Sequence, residues 1–327
     1  LVLEMGARGV GHIRYLTDMT HPQVAVVLNV GSAHVGEFGS RAAIAQAKAE
    51  LVEALPRGGL AVLNADDPLV GAMIAAPGAR VLRTGTGVDA DVRARDIEIR
   101  PDGTPRFVLT VPQPGAEPVD VEVALRILGR HQVDNALAVE AVATQLGMTP
   151  QAVADALGAA GPASRWRMER HERADGVTVV NDAYNANPES MAGALHTLGH
   201  LGADRRTWAV LGGMLELGAD APQAHREVGA LARALGVDEL LAVGDLARDI
   251  ADGATDAPAD TPVDTPQTSA DDININVRWV NDTDAAFDVL EAELRQGDVV
   301  LLKSSRDSGL RHLGDRLLPR IDSEVGS

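Results

Sequence analysis

The chain of 327 residues contains no cysteine. A disulfide framework, a thiolate metal site and a cysteine nucleophile are therefore excluded. Aromatic residues make up only 2% of the chain, which argues against a stacking platform for single-stranded nucleic acid. No apolar run is long enough to cross a bilayer, and no signal peptide is recognisable, so we expect no membrane insertion. Together these absences favour a globular protein of the cytoplasm.

Basic residues are also scarce, with 29 Lys and Arg against 47 Asp and Glu and a formal net charge of −18. Such a charge argues against nucleic acid or an anionic membrane as the main partner. An anionic ligand would have to be held locally, by helix N-termini, a metal ion or a few arginines. The alternative interpretation of the acidity is solubility alone.

Lysine occurs only twice, at Lys48 and Lys303, whereas arginine supplies every other basic side chain. Lys48 lies within AIAQAKAELVEAL, a helical pattern. A neutral lysine amine can react with carbon dioxide to form a carbamate, but a guanidinium stays charged and is a poor nucleophile. We therefore hypothesise that Lys48 is carbamylated and supports a metal ion. The alternative is a surface charge with a partner four residues away.

Short apolar segments alternate with helical patterns, which predicts the α/β class with mostly parallel sheets covered by helices. Residues 80–123 instead alternate apolar and polar side chains around a PDG turn, which predicts antiparallel hairpins. A domain boundary at 161/162 divides the chain into residues 1–161 and 162–327. The predicted strands are 24–30, 60–64, 177–180, 208–211, 239–243 and 299–302. The predicted helices are 41–55, 135–146, 150–157, 188–198 and 221–235, with a short helix after residue 243 and another helix at the C-terminus.

Two segments stand out from this alternation. The opening LVLEMGARG predicts a buried strand that runs into a glycine turn, and we expect that a preceding part of a longer protein is missing. Residues 252–276 are rich in Asp, Thr, Pro and Ala without apolar periodicity. Such a composition cannot bury enough surface to order itself, and it predicts a mobile surface loop.

Ligands of open α/β sheets gather at the carboxyl ends of the strands. Glu4 and His34 each follow a predicted strand, and a carboxylate with an imidazole could hold Mg²⁺ there. The alternative is a turn acid and a turn histidine. Three further strand ends carry NDAYNANP, GGMLELG and KSSR. Four of the five clusters therefore bring carboxylates, imidazole, amides or charge to one edge.

Two other positions are candidates for contacts with a nucleotide. His131 and Asn135 lie four residues apart in GRHQVDNALAV, on one helix face, and could hydrogen-bond a base edge. The alternative is helix capping. Arg165 lies near the domain boundary and could reach a phosphate, although a solvated arginine is the alternative. The chain contains no GxxxxGK phosphate loop, no strict GxGxxG after a strand and no GxSxG elbow.

These motifs together closely resemble the Mur ligases of peptidoglycan synthesis. The resemblance implies a central ATPase domain in residues 1–161, without its phosphate loop, and a Rossmann-like C-terminal α/β domain in residues 162–327. The N-terminal domain of the family would be absent, so this chain alone would not ligate. The segments that carry the resemblance, in family order, are EMGARGVGHI, LNVGSAHVGEFGS, AKAEL, LNADD, GRHQVDNALA, SRWRME, VVNDAYNANPESM, VLGGMLELG and LLKSSR.

NDAYNANP and AHVGEFGS are most similar to the family members that add D-alanyl-D-alanine to UDP-N-acetylmuramoyl-tripeptide. The resemblance implies that ATP, with Mg²⁺, converts a substrate carboxylate to an acyl phosphate, which the dipeptide amine attacks. It also implies a monomeric enzyme. Glu4 and His34 would bind magnesium, and Lys48 would be the carbamylated lysine. The implied ATP contacts are His131, Asn135, Arg165, Asp182 and Tyr184, and the implied dipeptide contacts are Asn185, Asn187, Lys303, Ser305 and Arg306.

Three positions depart from the family pattern. Gly213 stands where an acidic residue is usual, Ser304 replaces a smaller residue, and Gln132 stands where many members have asparagine. Three other interpretations stay open. They are a sister ligase with a different amine, such as a folylpolyglutamate synthase or another Mur enzyme, a non-catalytic nucleotide-binding or interaction protein, and a nicotinamide-dependent dehydrogenase without its glycine fingerprint.

Overall fold

A computed structural model describes residues 1–31, 35–113, 115–256 and 275–318. The chain forms two compact units, the first of residues 1–100 and 104–161, the second of residues 101–103 and 162–327. Each unit has its own sheet and its own apolar core. Within the described ranges, none of the helices is both long and apolar enough to pass through a lipid bilayer.

The first unit is built on a six-stranded sheet in the order β1-β2-β3-β4-β5-β6. The pairs from β1 to β4 are parallel, and those from β4 to β6 are antiparallel. The strands are β1 Val24–Val27, β2 Leu60–Asn64, β3 Arg80–Gly85, β4 Val92–Ile99, β5 Pro105–Gln113 and β6 Ala116–Ala124. The helices are α1 His12–Thr20, α2 Val35–Phe38, α3 Arg41–Glu53, α4 Pro68–Gly71, α5 Gln132–Gln145 and α6 Pro150–Ala159.

Helices cover both faces of this sheet, as the burial of β2 illustrates. Because successive side chains of a strand point to opposite faces, Leu60 and Val62 join the cluster that contains Leu137 of α5. Ala61 and Leu63 join the opposite cluster, which contains Ile44 and Val52 of α3. Complete burial of a leucine side chain contributes roughly 1.5–3 kcal/mol. A strand buried on both faces explains why LAVLN is a continuous apolar run.

The second unit contains another six-stranded sheet, in the order β11-β10-β9-β12-β8-β7. All of its pairs are parallel except β7 with β8. The strands are β7 Glu169–Glu172, β8 Thr178–Asn181, β9 Thr207–Gly212, β10 Glu239–Val243, β11 Asn276–Val280 and β12 Val299–Lys303. The helices are α7 Pro188–Leu201, α8 Ala221–Ala234, α9 Arg248–Asp256, α10 Thr283–Glu293 and α11 Leu310–Leu317.

The predicted α/β class with mostly parallel sheets is confirmed, and so are the helices and strands with the clearest local signals. Helices α4, α6 and α7 each begin with a side-chain cap that is followed by proline, at Asp67, Thr149 and Asn187. Such a cap accepts a backbone N–H of the first turn, and proline fits the first helical position. These starts can be recognised from the local sequence.

The predicted buried strand at the start of the chain is wrong. Residues 1–7 belong to no element, and Leu1 and Val2 are almost fully exposed. A buried strand needs a neighbour for its backbone groups, and among the described strands β1 pairs only with β2. The helix α1, which the sequence analysis did not predict, follows at His12.

The antiparallel prediction for residues 80–123 is confirmed for β4, β5 and β6 but wrong for β3. Strand β3 runs parallel to both β2 and β4. Alternation of apolar and polar side chains reports which face is buried. It does not report the direction of the neighbouring strand, which the fold of the whole unit decides.

The predicted loop 252–276 is wrong at both ends, and its residues 257–274 lie outside the described ranges. Residues 252–256 belong to α9, and β11 begins at Asn276. Helix α9 packs closely on α8 through two glycines. A Cβ at Gly229 would lie 1.9 Å from the carbonyl oxygen of Ile250, and one at Gly253 would lie 2.0 Å from that of Arg226. This tertiary packing orders a segment whose composition predicts a loop.

Candidate functional site

Lys48 reaches the carboxyl end of β1 from helix α3. Its Nζ donates a hydrogen bond to the carbonyl oxygen of Asn29, 2.6 Å away. Burial lowers the pKa of Lys48, and the negative charge of Asp67 opposes this shift. A lower pKa leaves more of the amine neutral, which is the form that reacts with carbon dioxide. The structure thus places Lys48 at a strand end and not in a surface ion pair.

Two adjacent carboxylates connect the ends of the first three strands. Asp67 accepts hydrogen bonds from the backbone N–H of Val30 at 2.6 Å and of Leu69 at 2.8 Å. Asp66 accepts from the N–H and the hydroxyl of Thr86, at 2.7 and 2.9 Å. These roles were not predicted from the sequence. The signal for them was the pair of aspartates in the turn that follows a buried strand.

The described residues do not form a magnesium site by themselves. Glu4 lies on the exposed segment 1–7 and makes no polar contact within the described part of the chain, and His34 lies outside the described residues. No group of three His, Asp or Glu side chains in the described part is placed to hold a metal ion. Asp67, the carboxylate that acts on Lys48, already accepts backbone N–H groups.

The start of α5 brings the two predicted nucleotide contacts together through Gln132. The amide nitrogen of Gln132 lies 3.0 Å from Nε2 of His131, and Asn135 donates to the amide oxygen of Gln132 at 3.0 Å. His131 occupies the N-cap position without a capping hydrogen bond from its side chain. Burial raises the pKa of Asp134, with Arg130 opposing the shift and Asp66 adding to it. Asp66, which follows β2, therefore acts on the start of α5 through its charge.

Four loops of the second unit follow parallel strands, so they lie at the same edge of its sheet. We call this edge, residues 182–187, 213–217, 244–246 and 304–306, the ligand edge. Lys303 donates to Oδ2 of Asp182 at 2.6 Å and to the carbonyl oxygen of Asn185 at 3.0 Å. The other oxygen of Asp182 accepts from the N–H of Met168 at 2.9 Å. A compact ammonium with three donors suits this small buried space.

Several predicted dipeptide contacts have structural partners. Asn187 caps α7 by accepting from the N–H of Ser190, and Ser190 bonds back to the N–H of Asn187. The hydroxyl of Ser305, which is buried, accepts from the N–H of Leu215 at 3.0 Å. Asn185 is exposed, and its side-chain oxygen accepts from the N–H of Ala186. Of these three side chains, Asn185 is the one that solvent reaches most freely.

Two guanidinium groups lie close to the ring of Tyr184. The guanidinium carbon of Arg167 is 4.4 Å from the centre of the ring, and that of Arg306 is 5.8 Å away. Neither arginine forms an ion pair within the described residues. Arg165, which the sequence analysis selected, pairs instead with Asp315 at 2.8 Å. Arg165 and Arg167 both lie in the segment SRWRM, so their position in the sequence did not show which of them is free of an ion pair among the described residues.

The unusual Gly213 is explained by its neighbour Leu246. A Cβ built at Gly213 would lie 2.6 Å from the Cβ of Leu246 and 3.0 Å from its Cδ1. Leu246 is half exposed at the end of β10. Any side chain at residue 213 would therefore clash with a leucine that covers the glycine. At this point the ligand edge is apolar, where related sequences are expected to be acidic.

Two family models match the chain. The model "Mur ligase middle domain" matches residues 1–143, and "Mur ligase, glutamate ligase domain" matches residues 166–306. The chain is 46% identical to UDP-N-acetylmuramoyl-tripeptide–D-alanyl-D-alanine ligase of Mycobacterium tuberculosis, over 100% of this chain and 64% of that protein. It is 30% identical to the Bacillus subtilis protein of the same name, over 95% of this chain and 63% of that protein. The chain thus spans less than two thirds of the length of these relatives.

Solved structures agree with this similarity. MurF from Acinetobacter baumannii matches with a TM-score of 0.81 and 28% identity, over 97% of this chain and 64% of that chain. MurF ligase from Thermotoga maritima, solved in complex with ADP, matches with a TM-score of 0.76 and 26% identity, over 97% of this chain and 67% of that chain. With both of its units matched by models of one family and by solved members of it, the chain belongs to the Mur ligase family.

Proposed function

We propose that the protein is an ATP-dependent amide ligase that joins D-alanyl-D-alanine to UDP-N-acetylmuramoyl-tripeptide in the cytoplasm, as a monomer. The observation that carries this proposal is the 46% identity, over the whole chain, to a ligase with that name. The polar loops at the carboxyl ends of both sheets support it, because ligands of such sheets bind there. We further propose that residues 1–327 do not ligate alone, since the relatives are longer.

In the proposed reaction a carboxylate oxygen of the tripeptide attacks the γ-phosphorus of ATP and releases ADP. The dipeptide amine then attacks the acyl carbon, and the tetrahedral intermediate expels phosphate and loses a proton from nitrogen. Such chemistry depends on correct positioning and on neutralised charge. We assign ATP contacts to His131, Asn135, Asp182 and Tyr184, with Arg165 or Arg167 at the phosphates. The dipeptide would meet Asn185 and Arg306.

We retain a magnesium ion near Glu4, His34 and a carbamylated Lys48 as part of the proposal. When bound, such an ion would neutralise phosphate oxygens. Observations of the described residues support the part of the proposal that concerns Lys48. The lowered pKa of Lys48 favours its neutral amine, and the fixed carbonyl of Asn29 orients it. Asn187, Ser305 and Lys303 would act on the dipeptide side through the loops that they hold in place.

The decisive experiment is a ligation assay with the full-length protein, ATP, UDP-N-acetylmuramoyl-tripeptide and D-alanyl-D-alanine. We expect one amide product by mass spectrometry, with ADP and phosphate released in equal amounts. A sister ligase would instead use glutamate or another single amino acid, so these amines are tested in parallel. If the protein binds nucleotide but hydrolyses no ATP with any of the amines tested, the ligase assignment is rejected and a non-catalytic binding protein is favoured.

A further inference from the structure

His225 of α8 holds the loop that follows β9. The histidine is buried, with 1% of its surface exposed. Its Nδ1 lies 2.6 Å from the carbonyl oxygen of Ala221, and its Nε2 lies 2.8 Å from the backbone nitrogen of Met214. A carbonyl can only accept and an N–H can only donate. The imidazole is therefore neutral, with the proton on Nδ1, and Nε2 accepts from Met214.

Ser305 secures the residues on either side of Met214. Its backbone N–H donates to the carbonyl oxygen of Gly213 at 3.0 Å, and its hydroxyl accepts from the N–H of Leu215 at 3.0 Å. Backbone groups of three consecutive residues are thus bonded to His225 or Ser305. Two loops of the ligand edge, after β9 and after β12, are connected by these contacts. His225 lies in the helix behind them and belongs to neither loop.

We propose that His225 is a positioning residue that keeps the loop 213–217 in the conformation that the amine substrate requires. The inference rests on the proposed function, which places the dipeptide at the ligand edge. His225 itself is buried and would not touch the substrate. A neutral imidazole suits the role, because it donates to its own helix on one side and accepts from the loop on the other. An aliphatic core residue of similar size would fill the space but leave the Met214 N–H unbonded.

Two amide substitutions separate the two hydrogen bonds. In His225→Asn the side-chain nitrogen can still donate to Ala221, but no acceptor reaches Met214. In His225→Gln the amide oxygen extends to the position of Nε2 and can accept from Met214. His200→Asn is the control, because His200 is an exposed histidine whose Nδ1 also lies near a carbonyl oxygen of its own helix. All three variants are made in the full-length protein.

Amide hydrogen exchange measures how well the loop 213–217 is ordered, and it needs no assay of activity. We expect exchange of the segment 213–217 to be about tenfold faster in His225→Asn, the factor for a loss near 1.4 kcal/mol. We expect it to be nearly unchanged in His225→Gln and His200→Asn. Equal exchange in the two His225 variants would overturn the proposal. If His225→Asn does not fold, the ¹⁵N spectrum of the wild-type protein decides, because a proton on Nε2 would be incompatible with the Met214 hydrogen bond.

Kinetics then connect the loop to the substrate. In His225→Asn we expect KM for D-alanyl-D-alanine to rise about tenfold while KM for ATP stays close to the wild-type value. His225→Gln should restore the wild-type KM. A uniform loss of kcat with unchanged KM for the dipeptide would contradict positioning of the amine site. If the wild-type protein does not ligate at all, the proposed function fails, while the exchange data still decide whether His225 orders the loop.

Discussion

The ammonium of Lys303 lies 2.6 Å from a carboxylate oxygen of Asp182, and both side chains are largely buried. Removal of one member of a buried ion pair leaves the other charge without compensation. We therefore expect Lys303→Met to lower the free energy of unfolding by about 3–5 kcal/mol. The double variant Lys303→Met, Asp182→Asn should recover part of the loss. All three tryptophans lie in the second unit, so their fluorescence in a urea titration reports its unfolding.

The second prediction concerns Glu140, which is buried in α5 with one carboxylate oxygen that accepts no hydrogen bond from the described residues. Burial raises the pKa of Glu140, and the hydroxyl of Thr144 opposes this. The folded state therefore holds the proton more tightly than the unfolded state. The favourable contribution of the protonated carboxyl is complete below the unfolded-state pKa and is lost as pH rises through the folded-state pKa.

Glu140→Gln should accordingly be more stable than the wild type at pH 8, by roughly 1 kcal/mol, and should match it near pH 4. Calorimetric unfolding of the first unit across this range measures the difference. The control is Glu117→Gln, since Glu117 is exposed on β6. A constant difference between Glu140→Gln and the wild type at every pH would contradict the assigned titration.

The third prediction tests the chemistry of Lys48. We expect Lys48→Arg in the full-length protein to reduce kcat by about 100-fold or more, because a guanidinium cannot form a carbamate. Lys48→Ala should lose a similar amount and be partly rescued by small carboxylic acids. A ¹³C signal from labelled bicarbonate, present in the wild type and absent in Lys48→Arg, would identify the carbamate directly. Full activity of the arginine variant would reject this role.

The fourth prediction follows from the contact between Gly213 and Leu246. Gly213→Ala should destabilise the second unit by about 1–3 kcal/mol through overpacking. Leu246→Ala should not relieve this, because the new side chain would still meet the Cβ of residue 246. Leu246→Gly should relieve it. Tryptophan fluorescence in urea measures the wild type, the three single variants and the two double variants. Additive effects of Gly213→Ala and Leu246→Gly would show that the contact is not the cause.

The fifth prediction distinguishes the two arginines that flank Trp166. Arg167 has no ion pair in the described structure, whereas Arg165 pairs with Asp315. If the arginine without an ion pair binds the ATP phosphates, Arg167→Gln should raise KM for ATP about tenfold or more. Arg165→Gln should change KM for ATP much less. The reverse order would restore Arg165 as the phosphate ligand, as the sequence analysis expected.

Much of the fold was readable from local sequence signals. The buried run LAVLN, the capped start of α7 in NANPES and the alternation of strands with helices each predict their element correctly. The features that were predicted wrongly depend on distant partners. Residues 252–256 of α9, predicted as loop, are ordered by close packing on α8, and β3, predicted as antiparallel, takes its direction from β2 and β4.

For the site, the sequence alone determined which chemical groups follow each strand. It also determined that the motifs occur in the same order as in the Mur ligase family. Only the tertiary structure decided what those groups contact. In the structure Asn187 caps a helix, and Ser305 accepts a hydrogen bond from the loop at Leu215. Asp66 and Asp67 accept hydrogen bonds from the ends of neighbouring strands. The physical reason is that a hydrogen bond needs its two atoms about 3 Å apart, and spacing along the chain does not specify distance between residues on different strands.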